Sequence, residues 1–228
     1  MSTIAENIST LAERIHNAAQ AAQRDPASIG LLAVSKTKPA SDLREAYAAG
    51  LRDFGENYLQ EALGKQPQLS DLPLIWHFIG PIQSNKTRAI AEHFDWVHSV
   101  DRLKIAQRLS EQRPAERPPL NICIQVNVSG EASKSGCTPE DLPALAQAIS
   151  DLPNIRLRGL MAIPEPTEDS DEQNAAFAAV RSLQDQLNLP LDTLSMGMSH
   201  DLEAAIAQGA TWVRIGTALF GARNYGQP

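Results

Sequence analysis

Cysteine is scarce in this chain, and the scarcity excludes two kinds of site. The 228 residues contain two cysteines, Cys123 and Cys137, and these do not have the C-x-x-C spacing. Structural zinc sites and dithiol redox motifs both rely on such closely spaced cysteines. Neither a zinc site nor a redox pair is therefore predicted.

Basic residues are fewer than acidic ones. Lys and Arg number 20 against 27 Asp and Glu, which gives a formal net charge of -7, and no block of basic residues appears. Proteins that bind nucleic acids or anionic membranes usually do so through clusters of Lys and Arg. The composition therefore argues against either of these as the main partner.

Long apolar runs are missing as well. No stretch reaches the roughly 20 apolar residues of a membrane-spanning helix. The first residues are polar and lack the basic and apolar regions of a secretory signal, so we expect a cytoplasmic protein. The chain is 43% hydrophobic and 21% charged, as in ordinary globular proteins. Because no linker divides it, we expect a single domain over residues 1–228.

The chain does contain an alternation of strand-like and helix-like segments. A stripe of apolar residues predicts an N-terminal helix: Ile4, Ile8, Leu11 and Ile15. Eight apolar runs then have the length of strands: residues 31–35, 52–54, 74–79, 95–98, 121–127, 156–163, 193–196 and 211–215. Several are apolar throughout, as in parallel strands covered on both faces. This order favours an α/β fold, a (β/α)8 barrel with an extra N-terminal helix, and a doubly wound open sheet is the alternative.

Local signals mark two helix starts and one loop. Ser41 or Asp42 predicts the start of the helix that follows the first strand. Residues 138–141, Thr-Pro-Glu-Asp, predict another start, with proline in the first helical position. Residues 113–119 are rich in proline and charge and predict a surface loop.

Lys36 ends the first apolar run, immediately before a turn that contains Thr37 and Lys38. In a parallel barrel, chemistry takes place where the carboxyl ends of the strands meet. Burial lowers the pKa of a lysine from about 10.4, so that part of the amine is unprotonated and can form a Schiff base with a carbonyl. The alternative is an ordinary solvated lysine at a strand end.

The loops after the seventh and eighth predicted strands carry glycine and hydroxyl groups, and phosphate commonly binds at these loops in a barrel. Gly197 permits close approach of the backbone, and Ser199 stands at a predicted helix start. Gly216 and Thr217 offer similar groups after the eighth strand, which ends near Arg214. The alternatives are a simple N-cap for Ser199 and a surface ion pair for Arg214.

Other motifs are less complete. Residues 80–87, Gly-Pro-Ile-Gln-Ser-Asn-Lys-Thr, differ by one residue from the P-loop pattern, and Asn85 can take the left-handed conformation in place of Gly. Pro81, however, removes one N–H group that would contact phosphate. We interpret His77 as a core histidine with hydrogen-bond partners. Lys134 is interpreted as a solvated loop lysine, with a second anion contact as the alternative.

An amine, a phosphate cup and a partner for a pyridine nitrogen are what a pyridoxal phosphate site requires. Seven motifs carry a closer resemblance: AVSKTKP at 33–39, FGENY at 54–58, WHFIGPIQSNK at 76–86, VNVSGEASKSG at 126–136, GLMAI at 159–163, LSMGMSHD at 194–201 and VRIGTALFG at 213–221. With these motifs the chain resembles the pyridoxal phosphate homeostasis proteins, the YggS/PROSC family. That family is related to the N-terminal barrel of bacterial alanine racemases.

The resemblance implies a role for each candidate residue. Lys36 would form the internal aldimine with pyridoxal 5'-phosphate, and Ser199, Gly216 and Thr217 would hold the phosphate. Arg214 would face the pyridine nitrogen. Asn57 would also lie on the cofactor side, in the loop after the second strand.

The resemblance also implies a function. A monomer would hold the reactive cofactor for intracellular vitamin B6 homeostasis and release it to apo-enzymes, without efficient catalysis of its own. The alternative is a pyridoxal phosphate-dependent amino acid racemase or lyase. Two-base racemisation in the related enzymes uses an additional β domain, and a chain that ends at Pro228 is expected to lack it.

Overall fold

Eight parallel strands close into a barrel in the computed structural model of the chain, which describes residues 2–132 and 134–222. In chain order the strands are β1 Gly30–Val34, β2 Asp53–Glu56, β3 Ile75–Phe78, β4 Trp96–Val100, β5 Leu120–Gln125, β6 Ile155–Met161, β7 Thr193–Ser195 and β8 Trp212–Ile215. The pairing of β8 with β1, with Arg214 opposite Leu32, closes the barrel. The predicted barrel is thus confirmed, the open sheet is excluded, and each predicted run overlaps one strand.

Helices follow the strands and cover the outside of the barrel. They are α1 Ile4–Ala21, α2 Ala40–Ala48, α3 Leu59–Lys65, α4 Thr87–His93, α5 Leu103–Gln112, α6 Leu142–Ser150, α7 Ser170–Gln186, α8 Leu202–Ala207 and α9 Thr217–Phe220. The apolar side chains between strands and helices form the main core. Within residues 2–132 and 134–222, no helix is both long and apolar enough to cross a membrane.

The predicted N-terminal helix is α1, which begins with a capping box between Thr3 and Glu6. Its apolar stripe is buried against the barrel's outer helices. The Asn7 amide donates to the Leu219 carbonyl oxygen at 2.8 Å, which ties α1 to α9. This helix therefore supports the chain segment after β8, where part of the candidate site lies.

Two predicted helix starts differ from the structure, and one predicted loop is confirmed apart from its first residue. Helix α2 begins at Ala40, with Pro39 as its N-cap, slightly before Ser41. Helix α6 begins at Leu142, because residues 138–141 form a separate turn in which the Thr138 hydroxyl accepts from the Asp141 N–H at 3.1 Å. Residues 113–119 form the predicted surface loop between α5 and β5, except that its first residue, Arg113, is buried and donates to carbonyl oxygens at the end of α4.

The inside of the barrel contains aromatic and polar side chains. Alternate residues of each strand point inward, as the two-residue period of a strand requires. His77 stacks on Trp96 with ring centroids 5.5 Å apart, and Trp212 meets His77 edge-on at 5.1 Å. These rings fill the lower part of the lumen, and the upper part opens at the carboxyl ends of the strands.

Candidate functional site

A cavity of about 290 Å³ lies at the mouth of the barrel, where the carboxyl ends of the strands meet. All six residues selected from the sequence line it: Lys36, Asn57, Ser199, Arg214, Gly216 and Thr217. Its other walls include Ile79, Ile163 and Met198. The structure therefore brings the candidate residues together in one place, from four different strand ends.

Lys36 is placed by a strained turn. Thr37 has φ of 63°, which is unusual for a β-branched residue and keeps the chain from continuing as a strand. The turn is closed by a hydrogen bond from the Lys38 N–H to the Ser35 carbonyl oxygen at 3.1 Å, and the Thr37 N–H donates to Glu61 Oε1. Val34 and Lys36 both line the cavity.

Lys38, the other lysine of this turn, is held elsewhere. Its ammonium donates to the carbonyl oxygens of Phe220 at 3.2 Å and Ala222 at 3.1 Å. These carbonyls lie at the carboxyl end of α9, where a cation is favoured by the exposed C=O groups. Lys38 thus secures the end of α9.

Gly216 and Thr217 stand where β8 passes into α9. The first N–H groups of a helix have no acceptor within the helix, so they are available to an anion in the cavity. A Cβ at position 216 would lie 3.3 Å from the Val34 carbonyl oxygen, so the two strand ends approach closely here. A hydroxyl and backbone N–H groups therefore face the cavity on this side.

Ser199 lies in the turn before α8 and not at the helix start. The helix begins at Leu202, and its N-cap is Asp201, whose carboxylate accepts from the Met198 N–H at 2.6 Å. The expectation that Ser199 begins the helix is wrong, as is the alternative that it serves as the N-cap. Gly197 has φ of 100°, and a Cβ there would lie 2.6 Å from that of Ala205, so only glycine permits this turn.

Arg214 is buried in the lumen below the cavity. Its guanidinium donates to Ser195 Oγ at 2.8 Å and to the Ala162 carbonyl oxygen at 2.9 Å. Burial lowers the pKa of Arg214 to about 10, so the side chain is still a cation at neutral pH. No carboxylate of residues 2–132 and 134–222 forms an ion pair with it, so the alternative of a surface ion pair is wrong.

Asn57 contributes a polar atom without a partner in the described part of the chain. Its Oδ1 is buried at the cavity wall and has no hydrogen bond. A Cβ at Gly80 would lie 2.1 Å from the Asn57 carbonyl oxygen. The glycine therefore allows the loop after β3 to pack directly against the Asn57 backbone. An unpaired buried amide is costly, so the site fits a ligand that supplies polar groups.

Comparisons with known proteins agree on one family. The family model for the alanine racemase N-terminal domain matches residues 5–224. A pyridoxal phosphate homeostasis protein of Pseudomonas aeruginosa is 79% identical over 228 residues, covering 100% of this chain and 99% of the relative. A protein of the same name from Escherichia coli K12 is 53% identical, covering 99% of each chain. The chain belongs to the pyridoxal phosphate homeostasis protein family.

A solved structure supports the same relationship. PipY of Synechococcus elongatus PCC7942, determined with PLP bound, superimposes with a TM-score of 0.84 and 44% sequence identity. The match covers 96% of this chain and 100% of PipY. The barrel of this family member is thus shared over nearly its whole length.

The sequence analysis did not identify a buried charged cluster beside Lys36, which consists of Lys65, Glu56 and Glu61. The buried ammonium of Lys65 lies 2.6 Å from Glu56 Oε1, and it donates to Glu61 Oε1 and to the Ser35 carbonyl oxygen, each at 2.8 Å. The Ser35 hydroxyl also donates to Glu56 Oε1, at 2.7 Å. Burial raises the pKa of Glu56, although the Lys65 charge opposes the shift. The spacing of Glu61 and Lys65, four residues apart on a helix, was the available signal.

The P-loop alternative finds no support in the structure. The hydroxyl of Thr87, which would have to hold a metal ion, is buried and donates to Gln112 Oε1 at 2.7 Å. No group of three metal-ligating side chains occurs in the described part of the chain. His77 is buried with hydrogen-bond partners, as predicted.

Lys134 lines a second cavity of about 270 Å³ beside the first. The two cavities share Asn57, Ile79 and Ile163 in their walls. The Lys134 ammonium is 3.8 Å from Glu131 Oε2. Its nitrogen is buried and has no hydrogen-bond partner among the described residues, so the interpretation as a solvated lysine is wrong, and the second anion contact stays a prediction.

Proposed function

We propose that this protein binds pyridoxal 5'-phosphate in the cavity at the barrel mouth and acts in intracellular vitamin B6 homeostasis. The observation that carries the proposal is the meeting of six candidate residues around one cavity of about 290 Å³. The names of its relatives and the PLP-bound structure of PipY support the choice of ligand. The roles of the individual residues are proposed with it.

Lys36 would hold the cofactor covalently. Its amine would condense with the cofactor's aldehyde, forming a C=N bond and releasing one water molecule. The strained turn and the buried Lys65 cluster hold the backbone on either side of Lys36, and Lys36 lines the cavity. Lys38 is engaged with the carboxyl end of α9 and does not compete.

The phosphate would bind between the two loops that follow β7 and β8. Ser199 and Thr217 supply hydroxyl groups, and Gly216 and Thr217 supply backbone N–H groups at the start of α9. Hydrogen bonds from N–H and O–H to an anion are stronger than neutral ones. No cluster of lysines is needed on this side.

Arg214 would face the pyridine nitrogen and limit catalysis. A guanidinium that stays charged at neutral pH disfavours protonation of a nearby ring nitrogen, because like charges repel. When bound, the cofactor supplies an electron sink for carbanion chemistry, and that sink is weaker with an unprotonated ring. We therefore infer a carrier that holds the aldehyde and releases it to apo-enzymes.

The test measures transfer and turnover on the same preparation. Protein loaded with pyridoxal 5'-phosphate is mixed with an apo-enzyme, and separately with a panel of amino acids. Activation of the apo-enzyme with negligible racemisation, keto-acid formation or decarboxylation supports the carrier. Robust turnover that disappears in Lys36→Ala would establish the racemase or lyase alternative instead.

A further inference from the structure

Five side chains form a continuous line of hydrogen bonds through the barrel. Arg214 donates to Ser195 Oγ at 2.8 Å, and that oxygen lies 2.7 Å from His98 Nδ1. His98 Nε2 lies 2.9 Å from His77 Nδ1, and His77 Nε2 lies 2.7 Å from Asp53 Oδ1. The residues come from β8, β7, β4, β3 and β2, so the line crosses the whole lumen.

The two ends fix the direction of every bond. A guanidinium can only donate, and an ionised carboxylate can only accept. His77 Nε2 must therefore carry the proton that it donates to Asp53. With His77 neutral, its Nδ1 accepts from His98 Nε2–H, so His98 Nδ1 in turn accepts from the Ser195 hydroxyl.

This arrangement gives every polar side-chain atom of Ser195, His98 and His77 a partner. Ser195 accepts from Arg214 and donates to His98, and each imidazole donates once and accepts once. Burial lowers the pKa of both His77 and His98, which favours their neutral forms. Hydrogen bonds that point the same way strengthen one another in a low-dielectric interior.

Packing restricts the rings to these positions. His77 is stacked on Trp96 and touched edge-on by Trp212, and His98 lies 5.1 Å from His77 between ring centroids. Both histidines and Ser195 are fully buried, whereas the Asp53 side chain is 20% exposed. The line thus runs from the partly exposed Asp53 to the side chain at the base of the cavity.

We propose that Ser195, His98, His77 and Asp53 are positioning residues for Arg214, which hold its guanidinium in one orientation beneath the cavity. The bond to the Ala162 carbonyl oxygen fixes the second nitrogen of the same group. A change at Asp53 should therefore reach Arg214 through three intervening side chains. The expected effect on pyridoxal 5'-phosphate binding rests on the proposed function. The protonation and hydrogen bonding of the two histidines can be tested without it.

The first readout uses the protein alone. Nitrogen–proton NMR correlations of isotope-labelled histidine identify the protonated nitrogen of each ring, and both rings should be neutral with the proton on Nε2. Ser195→Ala should shift the Nδ1 signal of His98. Asp53→Asn should shift the signals of both rings, whereas Asp151→Asn, at an exposed position, should shift neither.

The second readout is binding of pyridoxal 5'-phosphate. Ser195→Ala removes one acceptor of Arg214, and we expect about tenfold weaker binding. Asp53→Asn should change the absorbance of the bound cofactor, and Asp151→Asn should not. A ring with its proton on Nδ1, or an unchanged His98 signal in Asp53→Asn, would overturn the proposal. Altered rings with unchanged cofactor binding and absorbance would overturn it too, whereas failure of the unsubstituted protein to bind the cofactor would refute the proposed function alone.

Discussion

The Lys65 ammonium lies 2.8 Å from the Ser35 carbonyl oxygen, one residue before Lys36. Lys65 also forms an ion pair with the buried Glu56. The same ammonium therefore binds the backbone at the end of β1 and balances the charge of a buried carboxylate. Removal of one partner of a buried ion pair is strongly destabilising, because the other charge is left buried. The barrel wall behind Lys36 thus depends on a lysine from α3.

Lys65→Met should therefore reduce the free energy of unfolding by about 3–5 kcal/mol. Denaturant unfolding measures the loss, and Lys104→Met, at an exposed position, is the matched control. Adding Glu56→Gln to Lys65→Met should recover part of the stability, because the unpaired charge is then removed. Equal stability of Lys65→Met and Lys104→Met would show that the buried pair does not support this wall.

If Ser199 and Thr217 bind the phosphate, their removal should weaken the binding of pyridoxal 5'-phosphate more than that of pyridoxal. Ser199→Ala combined with Thr217→Val should weaken pyridoxal 5'-phosphate binding, since each lost hydrogen bond to an anion costs about 1.5–3 kcal/mol. Pyridoxal, which has no phosphate, should bind nearly as before. Titration of both ligands tests this, with the exposed Ser41→Ala as control. Equal losses for both ligands would mean that these hydroxyl groups do not touch the phosphate.

The buried histidines predict how stability depends on pH. Burial lowers the folded-state pKa of His77 and His98 below the unfolded value of about 6.5. Below pH 6.5 the unfolded chain therefore binds more protons, so stability is present above that pH and is lost as the pH falls. Asp53 and Asp95 oppose the shift at His77, and Arg214 reinforces it at His98.

Each histidine should contribute a slope of up to about 1.4 kcal/mol per pH unit to the free energy of unfolding below pH 6.5. Urea unfolding between about pH 7 and pH 5 measures the slope. His98→Gln should flatten it, and His16→Gln, at an exposed position, should not. A slope that is unchanged in His98→Gln would show that this ring is not kept neutral by burial.

The position of Arg214 leads us to expect little racemisation or transamination of amino acids. Because the guanidinium opposes protonation of the pyridine nitrogen, incubation with amino acids should give negligible keto-acid or enantiomer formation. Replacement by a neutral side chain, Arg214→Gln, should raise the rate of keto-acid formation above that of the unsubstituted protein. Rapid turnover by the unsubstituted protein would contradict this role of Arg214.

The eight strands could be predicted from the sequence, because each apolar run is long enough to be recognised individually. It also identified the residues around the cavity, since Lys36, Ser199 and Arg214 stand at strand ends or in the loops that follow them. The helix starts were less predictable, because Pro39 is itself the N-cap of α2 and residues 138–141 close a separate local turn before α6. A single domain, a monomer and a cytoplasmic location stay predictions.

The partners of the polar side chains inside the barrel could not have been predicted, although a buried, hydrogen-bonded His77 was. His77, His98 and Ser195 lie on three different strands, and only the register of the closed barrel brings them within hydrogen-bond distance. Lys65 reaches the Ser35 carbonyl oxygen from a helix 30 residues away in the chain. Contacts of this kind depend on the shear and closure of the sheet, which the local pattern of residues does not encode.

The proposed function depends most on a covalent bond between Lys36 and pyridoxal 5'-phosphate. Borohydride reduction of the loaded protein, followed by peptide mapping, should place a single pyridoxyl group on Lys36. In parallel, Lys36→Ala should lose the yellow absorbance and keep its fold, whereas Lys38→Ala should keep the absorbance. A pyridoxyl group found only on Lys38 or Lys86, or an unchanged spectrum in Lys36→Ala, would contradict covalent attachment at Lys36.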